Sequence, residues 1–255
     1  MAKGKNKQIS KKGKTAKKGD RHPFTKKEWF QVMAPPALKE SKQVGWTCCK
    51  KPTGTQIVSD FLKQRVAEIS LADITDNGKD VIKKIKIHFD DVIGNSCFTS
   101  FYQYELCREK IAAMLKKRQS LIEVVTEVKT KEGVIFRVIV VAVTSKRHGQ
   151  QKINSYAQSS KVRLFRKKVA AELVKLALEK SANDFAHEII TDVINPKIEQ
   201  VGGKVIPGIK MTIAKLKISK KNQTDIRHNP ETFSAPIAAV GDKKIAENPN
   251  AKADI

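Results

Sequence analysis

From Gly133 to Ala171 the chain carries no acidic residue and nine cations: Arg137, Lys146, Arg147, Lys152, Lys161, Arg163, Arg166, Lys167 and Lys168. The last five fall within positions 161–168, on the first turns of a predicted helix. Cations crowded this closely repel one another, and cations in a first turn oppose the helix macrodipole. A solvated cationic face would tolerate this at a cost of tenths of a kcal/mol per charge. A phosphate polyanion would instead engage both the side chains and the free N–H groups of the helix start. The run is long, free of acids and matched by a second basic segment, which favours the phosphate reading. Tyr156 beside the run offers a ring for stacking on an unpaired base, whereas Phe165 follows an apolar stripe and reads as core.

Other chemistry finds little support. The histidines are His22, His88, His148, His187 and His228, with no i, i+4 pair of the metalloprotease kind. His88 and Asp90 would share a strand face and form at most a two-ligand site; a solvated strand end is the preferred reading. His187 is expected on an exposed helix position. Cys48, Cys49, Cys97 and Cys107 lack zinc-ligand spacing and read as small hydrophobes. There is no G-x-x-x-x-G-K-[ST], no G-x-G-x-x-G and no Ser or Cys in a nucleophile context; Gly202-Gly203-Lys204 reads as a turn. The expectation is a protein that is not an enzyme, with no metal, cofactor or small-molecule substrate.

The elements that would position the basic run follow from periodicity. Ala67, Ile69 and Leu71 alternate with polar neighbours, then Asp76-Asn77-Gly78 turns the chain. Ile85, Ile87 and Phe89 alternate with Lys84, Lys86 and His88, a half-buried strand with a cationic face. Leu121–Lys129 and Val134–Thr144 form a hairpin through Thr130-Lys131-Glu132-Gly133. Met211 and Ile213 share one parity and Leu216 and Ile218 the other, which predicts a bulge near Ala214–Lys215. A helix carries Cys107, Ile111, Met114 and Leu115 as its stripe, with Lys110, Lys116, Lys117 and Arg118 pointing elsewhere. A second starts after Ser159 or Ser160 and buries Val162, Phe165, Val169, Leu173 and Leu176. A third, capped by Ser181 with Asp184 three residues on, buries Phe185, Ile189 and Val193 and ends at Asn195-Pro196. A short turn then runs to Gly202-Gly203. Nearer the start, a helical turn is expected at 26–32, followed by an extended crossing after Pro35-Pro36, with Trp29 pinning the segment to the core.

Charge and composition set the domain plan. The chain has 50 Lys plus Arg against 26 Asp plus Glu, a net charge of +24. Residues 1–21 hold nine cations and one acid, Asp20, and can bury too little apolar surface to fold alone. The expectation is a flexible basic arm at 1–21, a globular α+β body at 22–220 and a mobile polar tail at 221–255. The arm also fits a nuclear-import signal. No secretory signal opens the chain, and its longest apolar stretch falls far short of the ~20 residues of a membrane span. An intracellular, reduced, soluble protein with no membrane partner is expected.

Several blocks of residues resemble one family. Ser155-Tyr156-Ala157-Gln158, Val162-Arg163 and Arg166-Lys167-Lys168 are similar to the signature of the small-ribosomal-subunit protein shared by archaea and eukaryotes and absent from bacteria, eS-one, formerly S-three-a. Further blocks agree in order: Gly4-Lys5-Asn6-Lys7, Pro23-Phe24, Lys26-Lys27-Glu28-Trp29, Ser70-Leu71-Ala72-Asp73, and then Asp91-Val92, Gly94, Cys97, Thr99, Phe101, Leu106, Arg108 and Lys110. The resemblance covers roughly residues 1–218. It implies a central antiparallel, barrel-like β-sheet flanked by helices, with the N-terminal extension running over rRNA. It implies a place on the platform of the small, 40S-type subunit near the messenger exit. Small-subunit rRNA, neighbouring ribosomal proteins and initiation factor three would be its contacts. Localisation would be the cytoplasmic ribosome, with nuclear and nucleolar passage during assembly. Ala214-Lys215-Leu216-Lys217 is less basic than the family's corresponding strand, and the tail aligns with nothing in the family.

The candidate RNA-binding residues are therefore Lys3, Lys5, Lys7, Lys11, Lys12, Lys14, Lys17 and Lys18 in the arm. In the body they are Lys146, Arg147, Lys152, Tyr156, Lys161, Arg163, Arg166, Lys167 and Lys168. The competing reading of the same residues is a free RNA- or DNA-binding chaperone or regulator acting off the ribosome.

Overall fold

A computed structural model describes residues 22–39 and 42–220. The arm cations Lys3 to Lys18 and the tail after residue 220 lie outside the described residues. In chain order the elements are β1 (Lys27–Met33), β2 (Gln43–Lys50), α1 (Val58–Leu62), β3 (Val66–Ser70), α2 (Ala72–Thr75), β4 (Lys83–Ile93) and β5 (Ser96–Leu106). They continue with α3 (Arg108–Met114), β6 (Leu121–Lys129), β7 (Ile135–Thr144), α4 (Ser159–Leu178), α5 (Ala182–Ile190), α6 (Ile194–Gly203) and β8 (Ile209–Lys220). The fold is α+β.

Eight strands form one sheet in the order β2-β1-β5-β8-β7-β6, with β4 also on β5 and β3 beyond it. Every ladder is antiparallel except β1 against β5, where Gln31 and Val32 pair with Ser96 and Cys97. The β6–β7 hairpin runs in unbroken register from Leu121↔Val143 to Lys129↔Ile135. Gly133 closes its turn at φ +85°, a conformation glycine adopts without steric cost. Ile122, Val124 and Val128 face inward while Glu123, Val125 and Glu127 face solvent, as a period of two requires. In β8, Lys215 pairs with Ile139 and Ile213 with Val140, so Ala214 is the extra residue of a bulge. That bulge turns both Ile213 and Leu216 into the core.

Helix α4 packs along β6 and against α6, and buries Phe165, Val169, Leu173 and Ala177, spaced by four. Burying Phe165 or Leu173 stabilises the fold by about 1.5–3 kcal/mol each. Phe136 of β7 meets Phe101 of β5 at 6.4 Å and Phe185 of α5 at 5.8 Å, tilted in both pairs, which fixes α5 on the sheet. Ser181 caps α5 as expected: its Oγ accepts from the Asp184 N–H at 3.1 Å.

Five expectations need correction. The segment at 27–33 is strand β1, and only Pro23–Lys26 forms a 3-10 turn. Phe30 and Val32 face the core there, so Trp29, on the other parity, faces solvent and does not anchor the segment in the core. Helix α3 stops at Met114 with no buried residue, leaving Leu115 exposed. Helix α5 ends at Ile190, before Val193, which is exposed; Asn195-Pro196 instead opens α6, where a first-turn proline loses no hydrogen bond. His187 is partly buried, its Nδ1 donating to the Ala37 carbonyl at 3.1 Å.

Candidate nucleic-acid interface

The basic run begins where β7 ends, and that loop is tied down at several points. Ser145 N donates to Gly208 O at 2.9 Å, which joins the loop to the approach of β8. Thr144 Oγ1 donates to Ser155 O at 2.6 Å and accepts from Ser120 N at 2.9 Å. Ser120 Oγ accepts in turn from Ala157 N at 3.0 Å. Gln150 Nε2 reaches the carbonyls of Lys152 and Asn154, both at 2.9 Å, and Gln150 Oε1 accepts from Arg147 N. Several backbone polar groups of this exposed loop are thus bonded within the protein, and these bonds hold its cations on a defined frame. Arg147, Gln150, Tyr156 and Lys161 line a recess of about 280 Å³.

Helix α4 then presents the rest. Its N-cap, Gln158, makes no side-chain hydrogen bond, and its first turn holds no acid. The N–H groups at that end therefore lack the side-chain acceptor that a Ser, Asp or Asn would supply. Lys161, Arg163, Arg166, Lys167 and Lys168 are all exposed, as are Lys146, Arg147 and Lys152. None of these eight forms an ion pair with a described acid. Arg163 and Lys167 are four apart on one face, a like-charge pair that costs about 0.2–0.5 kcal/mol in water. Arg166 differs from the others because its Nε donates to Glu123 O at 3.1 Å and so staples the helix to β6. Tyr156 is 63% exposed and free to stack.

The structure also revises the membership of this face. Arg137 leaves it: its Nη2 lies 2.6 Å from Oε1 of Glu127, its partner across the β6–β7 ladder. Lys116, Lys117 and Arg118 join it, because Ser155 N donates to Arg118 O at 2.9 Å and Gln119 bridges to Ser155. Lys116 and Lys210 line a second recess of about 260 Å³ beside Ser145. The three adjacent cations are visible in the sequence, but the pairing that carries them here spans more than thirty residues. Lys215, on the strand read as weakly basic, faces Glu105 at 3.5 Å.

Elsewhere, His88 Nδ1 lies 2.7 Å from Asp90 Oδ1, with Asp90 at a bulge in the β4–β5 ladder. Among the described residues no cluster of three or more His, Cys, Asp or Glu is placed to hold a metal ion. Burial pushes the Cys97 thiol up to about 11, the reverse of nucleophile activation. Among the described residues no helix is long and apolar enough to cross a membrane.

An α+β body that displays cations without a described acid partner on a hydrogen-bonded frame defines a basic surface suited to an extended polyanion. Residues 15–222 match the ribosomal S3Ae family, and the chain belongs to that family. It is 35% identical to the small ribosomal subunit protein eS1 of Theileria annulata, across 98% of this chain and 96% of that protein. The eS1 proteins of Theileria parva and Babesia bovis are also each 35% identical, over 89% of this chain and 86% and 85% of theirs. Membership makes this chain a structural, non-catalytic protein of the small ribosomal subunit.

Proposed function

We propose that the chain binds small-subunit rRNA through the basic arm at 1–21 and the basic face of the body at 22–220, with neighbouring ribosomal proteins beside it. The observation that carries this reading is the set of eight exposed cations from Lys146 to Lys168, none of them ion-paired to a described acid. Bringing such a set together costs free energy in the isolated chain, and condensed phosphate recovers it by counterion release. The helix α4 start contributes its N–H groups to the same anion. Tyr156, beside Arg147 and Lys161, stacks on an unpaired base there. A contact with initiation factor three, a platform position near the messenger exit, and passage through the nucleolus on the strength of the basic arm complete the proposal. The tail at 221–255 has no assigned role.

Sedimentation of lysate through a sucrose gradient tests it. The chain should co-migrate with small subunits at one copy each and withstand a moderate salt wash. A chain that stays at the top of the gradient, or in excess over subunits, is an RNA binder acting off the ribosome, and the proposal fails.

A further inference from the structure

Both tryptophans of the chain, Trp29 and Trp46, stand on the outer face of the β1–β2 ribbon, 48% and 55% exposed. The register pairs Trp29 with Cys48 and Gln31 with Trp46, so the two indoles share one face on a cross-strand diagonal. Phe24 stacks on Trp29 at 6.1 Å with 17° between the planes, and His22 stacks on Phe24 at 5.2 Å. Lys27 Nζ sits 4.8 Å above the Phe24 ring. Phe30, Val32 and Cys49 fill the opposite, buried face, so the core makes no use of these rings.

The charge on this face is one-sided. Lys27 lies directly opposite Lys50, an unfavourable cross-strand pair. Lys26 and Lys51, joined through Lys51 N to Lys26 O, extend the same end. No acid occupies the outward positions of the ribbon; Glu28 has the inward parity.

We infer that the β1–β2 face is a base-stacking platform for an unpaired stretch of RNA, separate from the phosphate-binding face at α4. Every base has a π-face, so indoles accept any of them, and flanking lysines take the phosphates. Diagonal neighbours on a sheet are about 7–8 Å apart. That is roughly two van der Waals separations of 3.5–4 Å, the gap one flat base fills. The cations at one end of the rings, with no acid among them, favour a nucleic acid over an uncharged protein surface. This inference rests on the RNA-binding reading above.

Because Trp29 and Trp46 are the chain's two tryptophans, tryptophan fluorescence reports this face alone. The full chain is titrated with a short labelled oligoadenylate and, separately, with an RNA duplex, following label anisotropy and tryptophan emission together. Oligoadenylate should quench the emission. Trp46→Ala should weaken it by about 5- to 150-fold with an unchanged salt slope, and Trp46→Phe should retain most of the affinity. Circular dichroism checks that both variants are folded. If oligoadenylate binds without quenching, and Trp46→Ala binds as the parent does, the platform is wrong while the α4 reading survives. Emission that responds to an acidic protein of the subunit but never to RNA assigns the face to a protein partner and likewise overturns it. If no RNA binds, duplex and rRNA fragments included, the broader reading fails as well.

Discussion

Gly202 lies so close under the ring of Phe165 that an added Cβ would sit 2.6 Å from Phe165 Cε2 and 3.0 Å from Met211 Cε. Helix α6 thereby seats the basic helix α4, since Phe165 lies one position before Arg166 on that helix. Replacing Gly202 with Ala must displace the ring. The expected cost is about 1–3 kcal/mol, read from urea denaturation. Gly203→Ala, where the added Cβ meets nothing within 4 Å among the described residues outside its own turn of helix, serves as control and should leave stability unchanged or slightly raised. Equal losses at both positions would refute the close-approach argument.

Lys161→Glu should move stability and RNA affinity in opposite directions. An acid in the first turn of α4 complements the macrodipole, for a gain of about 0.3–1 kcal/mol. The same change removes a phosphate contact and lowers the salt slope of RNA binding by about 0.7–0.9. Thermal melts and filter binding across a salt series separate the two effects. An unchanged slope would remove Lys161 from the interface.

Arg163 and Arg166 should not behave alike. Both are exposed, but Arg166 also donates to Glu123 O. Arg163→Ala should weaken RNA binding with little change in melting temperature. Arg166→Ala should weaken binding and also cost about 0.5–1.5 kcal/mol of stability. Matching melts for the two variants would show that the staple contributes nothing.

Lys83 is a buried ammonium between Asp192 at 2.6 Å and Asp80 at 3.1 Å, with the Ile190 carbonyl accepting at 2.9 Å. It ties the start of β4 to the turn after α5. Lys83→Met strands the two carboxylates; because Asp192 is partly exposed, the expected loss is about 2–3 kcal/mol, below the usual range for a fully buried pair. Tyr104, fully buried nearby, has a hydroxyl without a hydrogen-bond partner among the described residues, and burial followed by the Asp192 and Asp80 charges pushes its pKa far up. Tyr104→Phe should therefore be neutral or stabilising by about 1 kcal/mol. Urea midpoints for the two variants should shift in opposite senses or, for Tyr104→Phe, not at all.

Asp184 supplies an acid-side dependence. The Ser181 hydroxyl, then Lys39 at 3.0 Å, hold its pKa below the ordinary 3.8. A depressed carboxylate contributes stability above its unfolded pKa and loses it as pH falls through the folded one. The contribution is thus complete by about pH 5 and fades below 3.8. The group is exposed, so the effect is small. Melting temperature against pH for Asp184→Asn should run parallel to the parent above pH 5 and converge with it in acid; parallel curves throughout would sink the claim.

Legibility in the sequence followed locality. The β6–β7 hairpin was readable because both strands and their turn lie within residues 121–144, and the β8 bulge because apolar parity switches at Ala214. Strand β5 was not read: Tyr102 is an extra residue against β4, so Gln103 and Tyr104 are both buried and the alternation breaks mid-strand. Strand β2 was missed because its burial alternates only weakly and its character comes from pairing with β1. The basic face was legible as a charge run. Its extension to Lys116–Arg118, and the removal of Arg137 by Glu127, depend on long-range pairing and strand register that composition does not encode. Trp29 was misassigned because indole hydrophobicity alone argues for burial, while the parity of β1 turns it outward.

The strand order carries a consequence for biosynthesis. The β1–β5 portion of the sheet and the β6–β7 hairpin have no ladder between them; each pairs with β8. On the ribosome that makes it, the chain must therefore keep two unsealed sheet edges apart until residues 209–220 leave the exit tunnel. Synthesis at about 5–20 residues per second leaves those edges waiting for seconds. A nascent chain stalled before β8 should remain protease-sensitive and bound to chaperones, and become resistant in one step once the last seam strand emerges.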